Sequence, residues 1–152
     1  MIICRRFLIL AALAFWQGGF AFYAAVVVPM GEQVLTSPIE QGFVTRRVTN
    51  YLNLAGAVAL PLLLWDIAGS KKQSRPRLLI WSLMSLILLL LVWLHPRIDR
   101  HLDVQTMSIV DHERFYVAHQ VYLIASAIQW LGALAFGVLS LQAWRGERPT
   151  YS

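Results

Sequence analysis

The 152-residue chain has one cysteine, few charges and none of the short motifs by which many enzymes are recognised. A lone Cys4 cannot form an internal disulfide, and beside Arg5 and Arg6 it reads as an inert surface thiol. Charged residues make up 14% of the chain, against about 25% in a typical soluble domain. The sequence holds no nucleophile elbow, phosphate loop, HExxH or paired catalytic carboxylates. Hydrolytic and phosphoryl-transfer chemistry therefore have no recognisable machinery, and a non-enzymatic role is expected.

What the chain has instead is apolar length. Hydrophobic residues account for 58% of it, in runs that a soluble fold of this size would leave partly exposed. The net charge of +5 would suit nucleic acid, but the basic residues sit at the ends of apolar segments, as membrane topology places them. The expectation is an all-α, polytopic membrane protein, residues 1–152 forming one domain with helices at about 7–30, 45–67, 78–95 and 113–144. Each exceeds or approaches the roughly 20 residues that a bilayer requires.

The first segment begins like a signal peptide, with Ala12-Leu13-Ala14 as a nominal cleavage site. Its apolar run continues well past that point, so it is read as a retained helix ended by Pro29 and Gly31. Ala11, Ala14, Gly18, Ala21 and Ala25 make a stripe of small residues, suited to close helix packing within the chain or between copies. Gly31 to Val44 reads as a polar link. In the second segment Arg46, Asn50, Asn53 and Ala57 fall at helical spacing, and Pro61 predicts a kink. Pro76 is expected to break the chain ahead of the third segment. That segment is the most apolar and the one expected to face lipid, closing at His95-Pro96.

The fourth segment carries the clearest pattern. His112, Tyr116, His119, Tyr122, Ser126 and Gln129 recur every three or four residues and share one helix face. Arg5, Arg6, Lys71, Lys72, Arg75, Arg77, Arg145 and Arg148 lie on one side of the four crossings. Arg46, Arg47, Arg97, Arg100 and Arg114 lie on the other. This bias places both termini in the cytoplasm. It also gathers the polar membrane residues in the outer halves of the second and fourth segments. Arg46 and Arg47, read as preceding a helix start, call for acids nearby, and Glu32, Glu40, Asp99, Asp103 and Glu113 are available.

His119, inside the fourth segment, calls for a partner such as Asn50, Asn53, Gln17 or Tyr23. A b-type haem needs two axial histidines at similar depth on facing helices; His119 qualifies, whereas His95 sits at the end of the third segment and His112 outside the fourth. Copper or zinc at the outer face could draw on His95, His101, His112, His119 and carboxylates. His112 and His119 stand about 10.5 Å apart along a helix, too far to share one ion.

Four stretches form a set: FWQGGFAFYAAVVVP, QGFVTRRVTNYLN, LHPRID and FYVAHQVYL. In these the chain resembles small four-helix bacterial membrane proteins of unknown function, related to eukaryotic transmembrane proteins implicated in platinum-drug resistance. The resemblance implies a four-helix integral membrane protein, multi-pass in a bacterial inner membrane, with polar residues near one face. It transfers no activity and no ligand residues. The expected role is an accessory subunit or small binding module that meets the lipid bilayer and other membrane subunits or a second copy, not nucleic acid. No cofactor is expected, haem or copper being the alternative. The candidate binding residues are Arg46, Asn50, Asn53, His95, Asp99, His119 and Tyr122, with His95 and His119 the candidates for metal.

Overall fold

The computed structural model describes residues 2–70, 72–103 and 108–146. Lys71 and Arg148 of the charge count lie outside them. Four helices fill the chain: α1 (Ile2–Val34), α2 (Pro38–Ala68), α3 (Ser74–Asp99) and α4 (His112–Arg145). A two-residue antiparallel pair, β1 (Leu102–Asp103) with β2 (Ser108–Ile109), joins α3 to α4. All four helices are long and apolar enough to cross a membrane. The end bearing Arg46 and Asp99 is called outer below, following the charge pattern.

The helices overrun the expected boundaries, each for a local reason. Ser37 caps α2 by accepting from the Glu40 amide at 3.3 Å, and Pro38 follows at the first helical position, where no donor is lost. Glu40 turns its carboxylate back to the Thr36 amide and hydroxyl, at 3.1 and 2.9 Å. The expected polar link is therefore mostly helix. Pro76 does not break the chain, because it sits in the first turn of α3, whose amides have no partner inside the helix. Nor does Pro96 close α3, which runs on to Asp99. α1 continues through Pro29 and Gly31, and contains two wide π-turns, Ala14–Gly18 and Tyr23–Val27. Such turns absorb a break in the ordinary ladder of hydrogen bonds. α2 likewise runs through Pro61 as one helix.

Packing reverses one further expectation and narrows another. α3 lies between α2 and α4 and packs on both, although it is the most apolar segment. The outlying helix is α1, with 22% of its most apolar window buried against 28% for α3. Hydropathy does not separate a side chain that touches lipid from one that touches another helix. The small-residue stripe also faces outward: Ala11, Ala14, Gly18 and Ala25 are exposed. α1 instead buries Ile9, Trp16, Gln17 and Tyr23. Trp16 fits because Gly56 of α2 has no side chain, as a Cβ there would stand 2.6 Å from the indole.

At the inner end the four helices meet on one carboxylate. Asp66 of α2 is fully buried. Its Oδ2 accepts from Arg77 of α3, also fully buried, and from Trp144 Nε1 of α4 at 3.0 Å. Arg5 Nε of α1 lies 3.1 Å from Oδ1, an ion pair whose angle falls outside hydrogen-bond geometry. The Arg77 guanidinium lies over the Phe136 ring at 5.2 Å, and its Nε and Nη1 have no partner among the described residues. Below the outer end, Ile87, Leu91, Leu94, Ile98, Tyr122 and Ala125 form a second apolar cluster. Ile9, Trp16, Leu60, Leu63, Met84, Leu88 and Phe136 fill the inner half.

Replacing Asp66 by Asn keeps the shape but strands two arginines without a counter-charge. Breaking a buried pair in this way costs about 3–5 kcal/mol, and thermal unfolding in mild detergent should register the loss. Gly56→Ala should cost about 1–3 kcal/mol by displacing the Trp16 ring, and the same assay reads it.

Candidate functional site

The polar face of α2 is set by Gln41, Thr45, Thr49 and Asn53, one turn apart, followed by Gly56. Thr45 and Thr49 bond back to their own helix, to Gln41 O and Thr45 O, each at 2.8 Å. Their protons are thus committed, and each oxygen is left to accept. Tyr23 of α1 accordingly donates to Thr45 Oγ1 at 2.5 Å. His95 of α3 places Nδ1 3.4 Å from Thr49 Oγ1, a contact whose donor depends on the ring tautomer. His95 Nε2 then lies 3.6 Å from Asp99 Oδ2, one turn along α3. Arg46 Nε completes the row at 2.8 Å from the same oxygen. Deeper, Asn53 Nδ2 donates to the Tyr122 hydroxyl of α4 at 3.2 Å.

Beneath this row lies a small cavity of about 20 Å³, bounded by all four helices. Gln17, Thr49, Asn53, Tyr122, Ser126 and Gln129 supply its polar lining, with Trp16, Phe20 and Leu91 among its apolar walls. That volume admits about one water molecule. Gln129 is anchored by donating to Met84 O at 3.1 Å. Gln17 and Ser126 are buried as residues and face the cavity, while the fully buried side-chain atoms without a partner lie elsewhere, among them Gln41 Nε2 and Ser140 Oγ. α1 leans chiefly on α2 and reaches α4 mainly through its inner third. The chamber therefore lies where α1 and α4 are not closely packed together.

Five of the seven expected residues come together here: Arg46, Asn53, His95, Asp99 and Tyr122. Asn50 does not, being exposed one position off the inward row. The row is Thr45, Thr49, Asn53, and the spacing from Arg46 through Asn50 chose its neighbour. His119 also stands apart. It is partly buried and stacks on Phe115, with ring centres 5.8 Å apart and planes 5° from parallel. Two of its four expected partners are engaged elsewhere, Asn53 with Tyr122 and Tyr23 with Thr45. The stripe on α4 divides accordingly: Tyr122, Ser126 and Gln129 are buried, while His112 and Tyr116 are exposed.

The electrostatic expectation changes too. Since α2 begins at Pro38, Arg46 lies two turns inside it, beyond the reach of the terminal dipole. Its partner is Asp99, whereas Glu40 is used as a cap. Among the described residues no three His, Cys, Asp or Glu side chains gather as a metal site would require.

Spacing understated three members of the chamber: Gln17, Thr49 and Ser126. Each is a single small polar residue in an apolar helix, which sequence cannot distinguish from one that bonds its own backbone.

Tyr122→Phe removes the hydroxyl bridging α4 to α2. The expected loss is about 0.6 kcal/mol, the average for interhelical bonds in membrane proteins, measured by unfolding in detergent beside an Asn50→Ala control that changes nothing. No family model, curated protein or solved structure matches this chain.

Proposed function

We propose that this protein is a non-enzymatic membrane module, both termini cytoplasmic, whose outer chamber receives a polar group arriving through the membrane. The group would belong to a partner subunit's side chain or to a small membrane-soluble ligand. One observation carries the reading: Gln17 and Ser126 present uncommitted polar atoms to a cavity whose other polar lining is already held in place. A polar occupant would gain hydrogen bonds from the Gln17 amide and the Ser126 hydroxyl, and the fixed neighbours lower the ordering cost of binding. His95, Asp99 and Arg46 continue the polar row outward from Thr49, which lines the chamber.

The reading separates a binding site from a purely structural polar core by its effect on stability. Gln17→Leu and Ser126→Ala break no existing bond, so the double variant should unfold at or above the wild-type temperature. Native mass spectrometry of protein extracted in lipid nanodiscs should find a bound ligand or subunit on wild type and none on the double variant. A bare wild-type protein would refute the reading. An absorption spectrum and elemental analysis of the same preparation should be blank, and a Soret band or near-stoichiometric copper would replace this reading with a cofactor protein.

A further inference from the structure

A second concavity lies on the other side of α3, at the outer end between α3 and the start of α4. It is an open groove of about 760 Å³, within the roughly 300–1,000 Å³ range of small-molecule sites. Its base is apolar: Leu94 on α3, then Val117 and Val121 on α4. Val117 and Val121 are exposed and continue the apolar outer face of the helix. Its rim is charged and mixed in sign, with Arg97 and Arg114 against Asp111 and Glu113, and with the His101 ring beside them.

The rim groups are only partly spent on one another, through Arg114 and Asp111. Arg97 is oriented from below: its guanidinium lies over the Trp93 ring, 3.3 Å from the centroid, and Nη1 donates to Trp93 O at 2.8 Å. A guanidinium has five N–H donors, so most remain available. The Arg114–Asp111 pair, at 3.3 Å, is open to solvent on the arginine side and contributes little. Glu113 forms no ion pair among the described residues. Asp111 also caps α4 through the Arg114 amide at 3.1 Å, which fixes its carboxylate at the groove mouth.

We infer that this groove binds one phospholipid whose headgroup carries both a phosphate and a primary ammonium, that is, phosphatidylethanolamine. The apolar base opens along the exposed Val117 and Val121 and suits acyl chains, while the charged mouth at the helix ends suits a headgroup. The charge balance selects the class. A purely basic rim would favour an anionic lipid. Two arginines matched by two carboxylates favour a zwitterion, phosphate toward Arg97 and Arg114, ammonium toward Asp111 and Glu113. The primary ammonium has three N–H donors for those carboxylates, whereas a quaternary choline has none. The site is separate from the chamber, and its test is independent of that reading.

The test uses delipidated full-length protein in detergent, titrated with phosphatidylethanolamine, phosphatidylcholine and phosphatidylglycerol of identical acyl chains and followed by native mass spectrometry. Phosphatidylethanolamine should bind about tenfold more tightly than either of the others, the scale of one charge-assisted hydrogen bond. The double variant Asp111→Asn, Glu113→Gln should lose that preference. It should still fold, because Asn caps a helix as well as Asp does. Arg97→Gln should weaken all three lipids. Equal binding of the choline lipid, tighter binding of the glycerol lipid, or an unchanged preference in the double variant would each overturn the inference.

Discussion

The bundle depends on a single buried carboxylate. Asp66 is the one atom group that all four helices address: α1 through Arg5, α3 through Arg77, α4 through Trp144, and α2 by carrying it. Apolar helices in a bilayer have little hydrophobic reason to associate, since lipid tails are as apolar as leucine. Directional contacts must then supply register, and this one supplies it for every helix at once. Arg77 in turn has no solvent to return to, and two of its nitrogens find no partner among the described residues. The clasp therefore cannot be half made, which is the condition under which a buried ion pair specifies one arrangement instead of merely adding stability.

The two ends of the molecule use polar groups differently. At the inner end the charges close on one another and on the rings of Phe136 and Trp144. At the outer end the polar groups form a graded row, from Arg46 and Asp99 near the surface, through His95 and Thr49, to Asn53 and Tyr122 beside the chamber. Between the two ends lies a dry layer that includes Leu60, Leu63, Met84, Leu88 and Phe136. The inner clasp and the outer row are thus separated by close apolar packing. The inner clasp holds all four helices, and the outer half adds a separate set of polar contacts between them. The wide turns of α1 contribute to this, placing Gln17 and Tyr23 inward on the helix that packs least tightly.

Much of this was legible in the residues, and some signals were present but outweighed. Ser37-Pro38-Ile39-Glu40 is a helix start by its own chemistry: a hydroxyl cap, a proline where no donor is needed, and an acid in the first turn. Treating the stretch as a link ignored that pattern in favour of polarity. Pro76 carried the same ambiguity, since a proline in a first turn and a proline that ends a helix look alike from composition. Asp66 was the larger omission. An acid near the end of an apolar helix resembles an ordinary boundary charge, and Arg77 resembles one more member of a basic turn. Only their meeting, with both fully buried, gives either its meaning.

By itself the sequence determined that there would be four long apolar helices and roughly where they lie, although the second begins at Pro38, seven residues before the expected start at 45. These follow from local physics: apolar run length, capping groups and the spacing of side chains around a helix. Only the tertiary structure decided which faces meet. It set Thr49 and Asn53 inward and Asn50 outward, joined Tyr122 to Asn53 while leaving His119 against Phe115, and made α1 the outlying helix instead of α3. A helix in an apolar medium can bury any of several faces at similar cost. The choice falls to contacts between residues far apart in the chain, and the Asp66 clasp, with the pairing of Arg46 and Asp99, makes it.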